Sequence, residues 1–281
     1  MMGVIERAEV SETVWTALLD QAAGGPARPH AGWSEAERAG FALYEPVARP
    51  GTGAGPRFFA QVGQSLDGRI ATLSGDATAV SGPDGLRHLH RCRALADAVV
   101  VGARTAFADD PQLTVRLVPG PSPARVVIDP RGRLGDDARP FADDGVRRIV
   151  VQACDRVRPA GIETIRLPAQ DGWIDPCAIA AALGDAGLER VLIEGGGVTI
   201  GGFLDAGLLF RLHVAIAPLI IGAGPTGLRT SPVARLADAL RPETWIYGLE
   251  SDVIFDCALG NASTSTWPTV SRDVALAASR A

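Results

Sequence analysis

The sequence has few aromatic residues and no long hydrophobic run. Aromatic residues make up only 5% of the 281 residues although apolar residues make up 47%, so the core must be built mainly from valine, leucine, isoleucine and alanine. No stretch of about 18 uninterrupted apolar residues occurs, which excludes a simple membrane-spanning helix. The N-terminus carries Glu6, Glu9 and Glu12 and lacks the apolar segment of a secretory signal. We therefore expect a soluble, cytoplasmic protein.

Cysteine is also scarce, and the excess charge is negative. The four cysteines form no C-x-x-C pair, which argues against a zinc cluster and against a disulfide framework. They are expected to be buried thiols: Cys92, Cys154, Cys177 and Cys257. The formal net charge of −5 argues against binding of nucleic acid or an acidic membrane through bulk electrostatics, although local basic pockets are compatible with it.

The first 56 residues are predicted to form an N-terminal helical appendage and a linker. Residues 11–23 have helical apolar spacing, with Ser11 as the N-cap and Gly24-Gly25-Pro26 as the stop. The segment that follows is expected to be irregular. Residues 46–56 are rich in proline and glycine, which is typical of a linker. Residues 57–281 are then expected to form the main domain.

The main domain alternates between strand-like and helix-like segments. Such alternation predicts an α/β domain with a largely parallel sheet. The predicted strands are RFFAQVG, DAVVVGA, ARVVID, RRIVVQA and the stretch from residue 189, and the predicted helices are PDGLRHLHRCRALA and DPCAIAAALGDAG. Beyond Gly207 two strand-like stretches, LLFRLHVAIAPLIIG and TWIYGLESDVIFDCAL, follow each other without a long helix. They should add antiparallel strands and make the sheet mixed.

The stretch ERVLIEGGGVTIGGFL, residues 189–204, joins a strand to a helix through three glycines. Bare backbone before a helix N-terminus favours binding of an anion such as phosphate. The stretch is not the dinucleotide fingerprint G-x-G-x-x-G, because Ile200 stands where the third glycine belongs. A tight turn whose glycines only relieve crowding explains the pattern equally well, so both interpretations stay open.

Three further clusters each allow a functional and a structural interpretation. QSLDGRIAT fits a ligand loop or a plain turn at Asp67-Gly68. LRHLHRCR brings His88, Arg91 and Cys92 together on a helix, but without further ligands a solvated basic face is favoured over a metal site. In VVVGARTAFADDPQLTVR a strand is followed by a hydroxyl, two carboxylates and a guanidinium. This order suits either a polar ligand or an ordinary loop.

Taken together, these clusters resemble the pyrimidine reductase domain of riboflavin biosynthesis, a family with a dihydrofolate reductase-like fold. That family has S-L-D-G, a helix ending L-R-A, V-G-x-x-T, D-D-P-x-L-T-x-R, a strand ending in Asp, E-G-G and P-x-x-x-G in this order. The matching residues here are Ser65–Gly68, Cys92–Ala94, Gly102 with Thr105, Asp109–Arg116, Asp129, Glu194–Gly196 and Pro218 with Gly222. The resemblance spans about residues 57 to 260.

The resemblance implies an α/β fold with a mostly parallel mixed sheet flanked by helices and with antiparallel C-terminal strands. It also implies an NADPH-dependent oxidoreductase that reduces a 5-phosphoribosylamino pyrimidine to the ribitylamino product as a homodimer, without a metal, nucleic acid or membrane partner. The implied substrate-binding residues are Arg93, Leu113, Arg116 and Glu194. The implied cofactor-binding residues are Thr105, Asp109, Gly196 and Gly197, with Arg131 or Arg133 toward a 2′-phosphate. No residue is assigned to catalysis.

Bifunctional members of the family also carry a zinc deaminase domain with H-x-E and P-C-x-x-C. Here Pro176-Cys177 is followed by Ala180 and no H-x-E occurs, so a reductase alone is expected.

Two departures from the family pattern keep other functions open. Gln61 stands where the family usually has lysine, and Ala79 lies where it usually has tryptophan within W-I-[ST]-G. These changes remove a charge and a stacking surface. They favour, as an alternative, a reductase that acts on a different small heterocycle. A separate alternative is a non-catalytic dimeric nucleotide-binding module that has kept the fold. The buried charges that the resemblance implies argue against the module.

Overall fold

Short aliphatic runs between turn residues form the strands of one large sheet. The computed structural model describes residues 6–26, 29–51, 53 and 55–260. The strands of this part of the chain are β1 (Glu6–Arg7), β2 (Arg57–Ser65), β3 (Ala98–Gly102), β4 (Ala124–Ile128), β5 (Arg148–Gln152), β6 (Ile162–Arg166), β7 (Ala169–Gln170), β8 (Trp173–Ile174), β9 (Arg190–Glu194), β10 (Leu209–Ala217), β11 (Glu243–Gly248) and β12 (Val253–Ala258). Its α-helices are α1 (Glu12–Ala22), α2 (Glu35–Ala48), α3 (Pro83–Ala94), α4 (Ala103–Asp109), α5 (Pro176–Asp185) and α6 (Gly197–Asp205). None of these helices is long and apolar enough to cross a membrane.

The main sheet has ten strands in the order β1-β11-β12-β10-β2-β9-β3-β4-β5-β6. The seven strands from β10 to β6 run parallel, whereas β12 pairs antiparallel with both β10 and β11. The predicted α/β fold with a mostly parallel mixed sheet and antiparallel C-terminal strands is therefore confirmed. The second C-terminal stretch differs in detail, because a turn at residues 249–252 divides it into β11 and β12.

The alternating side chains of the strands feed two separate cores on opposite faces of the sheet. On β2, Phe59 packs in the core that also contains residues of α1, α2 and α3. Its neighbours Phe58 and Ala60 pack in the core that contains residues of α5 and α6. This two-residue period assigns every strand position to one face or the other. Helices therefore cover both faces of the sheet.

The N-terminal segment is more regular than its composition indicates. Helix α1 begins at the predicted cap, where the amide of Val14 donates to Ser11 Oγ (3.4 Å). The prediction of an irregular segment after α1 is wrong, because α2 occupies residues 35–48. The predicted start of the linker at residue 46 is also wrong, because Pro46 lies inside this helix. Ser34 and Glu37 form a capping box that stabilises the start of this helix. A Cβ on Gly40 would overlap the carbonyl oxygen of Glu9, so that glycine permits close packing.

Both N-terminal helices also share the core of α3. Val14 and Leu18 of α1 and Tyr44 of α2 are fully buried there together with Leu95. The first strand, β1, pairs with β11 at one edge of the main sheet. The division of the chain into an appendage and a reductase domain at residue 57 stays a prediction.

Candidate active site

The predicted motifs lie where neighbouring parallel strands end. Glu194 ends β9 and pairs in register with Gln61 of β2, four residues before Ser65 ends that strand. On the other side of β9, strand β3 ends at Gly102. In parallel α/β sheets, ligands bind in the crevice outside such carboxyl ends. The carboxyl edge around β2, β9 and β3 is therefore the candidate site.

A buried ion pair joins helix α3 to the end of β9. Arg93 donates from Nε to Glu194 Oε2 (2.8 Å) and from Nη2 to Oε1 (2.5 Å), and the two side chains are only 5% and 11% exposed. A third donation runs from Arg93 Nη1 to the carbonyl oxygen of Thr114 (3.0 Å). This forked arrangement fixes both planar groups in one orientation. Two residues predicted to bind substrate are thus brought together.

Arg116 lies beside this pair with an unneutralised charge. Its backbone amide donates to His90 Nδ1 (3.0 Å), and its Nη1 donates to Thr114 Oγ1 (3.4 Å). Partial burial, and then the charges of Arg93 and Arg139, lower the pKa of Arg116. Within the described part of the chain, neither Arg116 nor Arg139 has a carboxylate in ion-pair distance. The corner between them carries two guanidinium groups, and the Asp110 carboxylate there accepts from the Arg139 backbone amide (2.8 Å).

The loop that leads to Arg116 has a strained backbone. Asp110 (φ 37°) and Leu113 (φ 58°) both adopt left-handed conformations, which a bulky residue such as leucine rarely does. The side chain of Leu113 is fully buried in the core. The predicted contact of Leu113 with substrate stays a prediction, and the buried side chain leaves only its backbone to make that contact. Outliers of this kind are concentrated at ligand sites, where the surrounding structure holds them.

The residues predicted to bind the cofactor lie on the other side of the same crevice. The amide of Gly196 donates to Thr105 Oγ1 (3.0 Å), which connects α4 to the start of α6. Asp109 is exposed at the end of α4. Its carboxylate nevertheless loses part of its hydration, and this loss, followed by the negative charge of Glu194, raises the pKa of Asp109. Thr105, Asp109 and Gly196 thus surround the carboxyl end of β9.

The three glycines are required first by the packing of the chain itself. Gly195 has φ 77°, and a Cβ there would lie 2.7 Å from Thr105 Cγ2. A Cβ on Gly197 would lie 2.6 Å from the carbonyl oxygen of Thr226. Crowding therefore explains these glycines, as the structural interpretation of the sequence proposed. Helix α6 nevertheless begins without a side-chain cap on Gly196, which leaves its N-terminal amides suited to phosphate.

The turn after β2 is pinned to the segment after β10. The carboxylate of Asp67 accepts hydrogen bonds from Ser65 Oγ (2.5 Å) and from the amides of Ile221 (3.1 Å) and Gly222 (2.6 Å). The Ser65 hydroxyl, followed by the Ile221 amide, lowers the pKa of Asp67 to about 2. The motif is thus a turn with a structural task.

We expect the Asp67 pin to depend on pH in a defined direction. Because folding lowers the pKa of this carboxyl, the pin stabilises the fold above its ordinary pKa of 3.8, and the stabilisation is lost as the pH falls through about 2. Titration of the Asp67 carboxyl carbon by NMR should give that value. Asp67→Asn should speed hydrogen exchange at Ile221 and Gly222, whereas Asp205→Asn, which removes a carboxylate bound to Ser231, should not. Titration at 3.8 would contradict the prediction.

The predicted solvated basic face on α3 is wrong. His88 and Cys92 are fully buried because this side of the helix packs against β10 and α2. Arg91 lies with its guanidinium 5.9 Å from the ring centres of both Trp15 and Tyr44. Burial lowers the pKa of His88 well below its usual value and raises the pKa of the Cys92 thiol.

The expected burial of the cysteines holds for only two of them. Cys92 and Cys257 are buried, whereas Cys154 is half-buried and Cys177 is exposed. Cys177 lies in the first turn of α5, where its amide donates to Asp175 Oδ1 (3.0 Å).

The remaining predicted residues lie outside the central group. Arg131 and Arg133 are both exposed beyond β4. Gln61 is buried on β2, where it pairs in register with Glu194 of β9 on one side and with His213 of β10 on the other. Ala79 is exposed with φ 61°, a conformation that is rare for alanine.

Three residues of the site received no role in the sequence analysis, although Thr114 lies within the matching motif Asp109–Arg116. His90 and Thr114 accept the bonds that position Arg116 and Arg93, and Arg139 adds positive charge beside Arg116. Helical spacing puts His90 one turn before Arg93, which is a usable signal. Arg139 lies in a short 3₁₀ helix and had no such signal.

The fold and the site together define an α/β protein whose candidate ligand site lies at the carboxyl edge of a parallel sheet, beside a buried arginine–glutamate pair. The chain belongs to the RibD C-terminal domain family, which it matches over residues 56–240. The resemblance found in the sequence is therefore confirmed.

Three similar proteins illustrate the relationship. The chain is 32% identical over 212 residues to a 2,5-diamino-6-ribosylamino-4(3H)-pyrimidinone 5′-phosphate reductase of Methanothermobacter thermautotrophicus, covering 72% of this chain and 97% of that protein. It is 32% identical over 194 residues to riboflavin biosynthesis protein RibD of Escherichia coli, covering 64% of this chain and 53% of that protein. The chain thus spans about half the length of that relative.

A solved structure from Thermotoga maritima, of a diaminohydroxyphosphoribosylaminopyrimidine deaminase/5-amino-6-(5-phosphoribosylamino)uracil reductase, superposes with a TM-score of 0.63 at 26% identity. The superposition covers 78% of this chain and 59% of the other chain. The similarity thus extends through most of the sheet and its helices.

Proposed function

We propose that this protein is an NADPH-dependent reductase that converts a (5-phosphoribosylamino)pyrimidine into its ribitylamino product in riboflavin biosynthesis. The observation that carries the proposal is the unneutralised Arg116 beside the buried Arg93–Glu194 pair. The sequence contains no lysine, so a phosphate ester has only arginine and histidine as cationic partners. A guanidinium binds phosphate with two parallel hydrogen bonds. The names of the similar reductases support the same substrate class.

In this proposal the two sides of the crevice have separate tasks. Arg116, with Arg139 beside it, holds the sugar phosphate, and the Arg93–Glu194 pair fixes the orientation of the sugar and the pyrimidine. Thr105, Asp109, Gly196 and Gly197 hold the dinucleotide, whose phosphate meets the uncapped start of α6. The nicotinamide supplies a hydride for C1 of the sugar when it is bound. The chain contributes alignment and exclusion of water.

The test is Arg116→Ala in a steady-state assay of NADPH oxidation. A charge-assisted hydrogen bond is worth about 1.5–3 kcal/mol, so KM for the phosphorylated substrate should rise more than tenfold. KM for NADPH should stay unchanged. Arg147→Ala is the matched control. Arg147 immediately precedes β5, so its ion pair with Glu163 lies at the amino ends of the parallel strands, opposite the candidate site. Its kinetics should equal those of the wild type.

Comparison of the substrate with its dephosphorylated form sharpens this test. The wild type should prefer the phosphorylated form strongly, and Arg116→Ala should lose most of that preference. An unchanged KM in Arg116→Ala would show that Arg116 does not hold the phosphate. Absence of NADPH oxidation by the wild type would reject the proposed function itself.

One observation favours a second candidate, a reductase of the same fold that acts on a different heterocycle. Gln61, a neutral residue, is buried beside Glu194 at the position where the resembling family usually has lysine. Turnover of other ribosylated heterocycles, but not of the phosphoribosylamino pyrimidine, would select this candidate.

We also propose that the protein works in the cytoplasm as a homodimer. Support comes from the resemblance, which implies a dimer. Light scattering after size exclusion measures the mass in solution, and a monomer at micromolar concentration would reject the dimer.

A further inference from the structure

Three potential metal ligands meet in the core between α3 and the sheet. His88 Nε2 lies 3.7 Å from Cys92 Sγ, and Cys92 Sγ lies 3.8 Å from His213 Nδ1. All three atoms lie within 4.8 Å of one another, and all three residues are completely buried. His88 and Cys92 are one turn apart on α3, whereas His213 comes from β10. We call these residues the His88–Cys92–His213 cluster.

The spacing of these atoms is that of ligands on one metal ion. Zinc binds sulfur at about 2.3 Å and histidine nitrogen at about 2.0–2.1 Å, so two such ligands at a tetrahedral angle are about 3.6 Å apart. The two measured sulfur–nitrogen distances, 3.7 and 3.8 Å, are close to this value. The third spacing, between His88 Nε2 and His213 Nδ1, is no more than 4.8 Å.

Each histidine also has a polar neighbour on the nitrogen that faces away from the cluster. The Tyr44 hydroxyl lies at hydrogen-bond distance, 2.8 Å, from His88 Nδ1. Asp256 Oδ1 lies 3.3 Å from His213 Nε2, within ion-pair distance but without hydrogen-bond geometry. Arg211 holds the Asp256 carboxylate through two hydrogen bonds of 2.5 and 2.7 Å. Metal-bound histidines nearly always have such outer partners, which orient the ring and its free lone pair. The nitrogens that face Cys92 are His88 Nε2 and His213 Nδ1.

The donor set selects the kind of ion. One sulfur and two imidazole nitrogens suit zinc and other thiophilic ions, whereas magnesium and calcium require oxygen ligands. A metal ion displaces the thiol proton of Cys92 when it binds, since the thiolate is the ligand. Three protein ligands leave one coordination position for a water molecule.

We propose that the His88–Cys92–His213 cluster binds one Zn²⁺ ion that ties α3 to β10. This departs from the expectation that the protein uses no metal. The tie holds the turn of α3 that is followed directly by Arg93, and through Tyr44 it also engages α2. A zinc ion bound by Cys92 therefore restrains the backbone next to Arg93 and helps to position the Arg93–Glu194 pair. The proposal does not depend on the proposed reductase activity.

The first test measures metal content without any substrate. Tag-free protein from zinc-supplemented medium, after dialysis, should contain about one zinc per chain by inductively coupled plasma mass spectrometry. Cys92→Ser should lose most of this zinc. Cys257→Ser is the matched control, because Cys257 is also buried but its sulfur lies near the Thr244 hydroxyl, 3.7 Å away. That variant should keep the full zinc content.

A second measurement uses only the wild-type chain, in case Cys92→Ser does not fold. Protein stripped with a chelator should melt at a lower temperature and recover when Zn²⁺ is added. Reconstitution with Co²⁺ should give a thiolate-to-cobalt charge-transfer band and the intense visible bands of tetrahedral cobalt. Wild-type protein that contains no zinc and gives no thiolate band with Co²⁺ would overturn the proposal. Zinc that remains in full in both Cys92→Ser and His213→Asn would also overturn it.

Discussion

Glu194→Gln should lower kcat/KM about 100-fold and the free energy of unfolding by about 3–5 kcal/mol. The glutamine amide has nearly the same shape as the carboxylate but leaves Arg93 as an uncompensated charge, and the Arg93 side chain is only 5% exposed. The Glu194 carboxylate lies at the end of β9. Its replacement should therefore remove a predicted contact with the ligand and also loosen the side chains around that contact. Urea unfolding and steady-state kinetics measure the two effects.

Two further variants separate the structural effect from the functional one. Glu163→Gln removes a carboxylate from the exposed pair with Arg147, which should cost less than about 1 kcal/mol and leave turnover unchanged. The double variant Arg93→Met with Glu194→Leu removes both buried charges together, so much of the lost stability should return. Its activity should stay low. Full activity in the double variant would show that the pair is structural only.

Gly201→Ala should destabilise the fold by about 1–3 kcal/mol although alanine favours helices over glycine by about 1 kcal/mol. A Cβ at Gly201 would overlap the carbonyl oxygen of Arg229, which packs on the first turns of α6. That segment also touches the turn after β2, where the Gly227 amide donates to the Gly68 carbonyl oxygen (3.0 Å). The Arg229 amide also donates to the Gly197 carbonyl oxygen (3.1 Å), so displacement of the segment should weaken dinucleotide binding at the start of α6 as well as stability.

Gly202→Ala is the matched control in the same helix. A Cβ there would lie 2.7 Å from the ring of Trp173, a side chain that is 41% exposed and can shift, and at ordinary contact distance, 3.7 Å, from Pro176 Cγ. This variant should be as stable as the wild type or slightly more stable. Thermal unfolding of both variants measures the difference, and equal melting temperatures would contradict the packing argument.

The parts of the fold that could be predicted are those with a local cause. Short aliphatic strands and the Ser11 cap of α1 depend on residues a few positions apart, and both were found. Helix α2 was missed because Gly40 and Pro46 are unfavourable in isolation. The carbonyl of Glu9 packs directly on Gly40, which is a tertiary contact that a local pattern does not contain.

The same limit explains the candidate site. Arg93, Arg116 and Glu194 were found because each lies in a specific motif, and the sheet brings the motifs together. His213 lies 121 residues after Cys92 in an ordinary strand sequence, so nothing local connects it to the two ligands on α3. Burial reversed the prediction for that helix face, since the N-terminal helices cover it.

The two outer strands of the main sheet have a consequence for behaviour in a crowded solution. An outer strand exposes unpaired amides and carbonyls that can recruit a strand from another molecule and start aggregation. Within the described residues, β1 carries Arg7 in an ion pair with Glu250 at one border, and β6 carries Glu163 in an ion pair with Arg147 at the other. Charge at both borders opposes their use as a template for fibril growth.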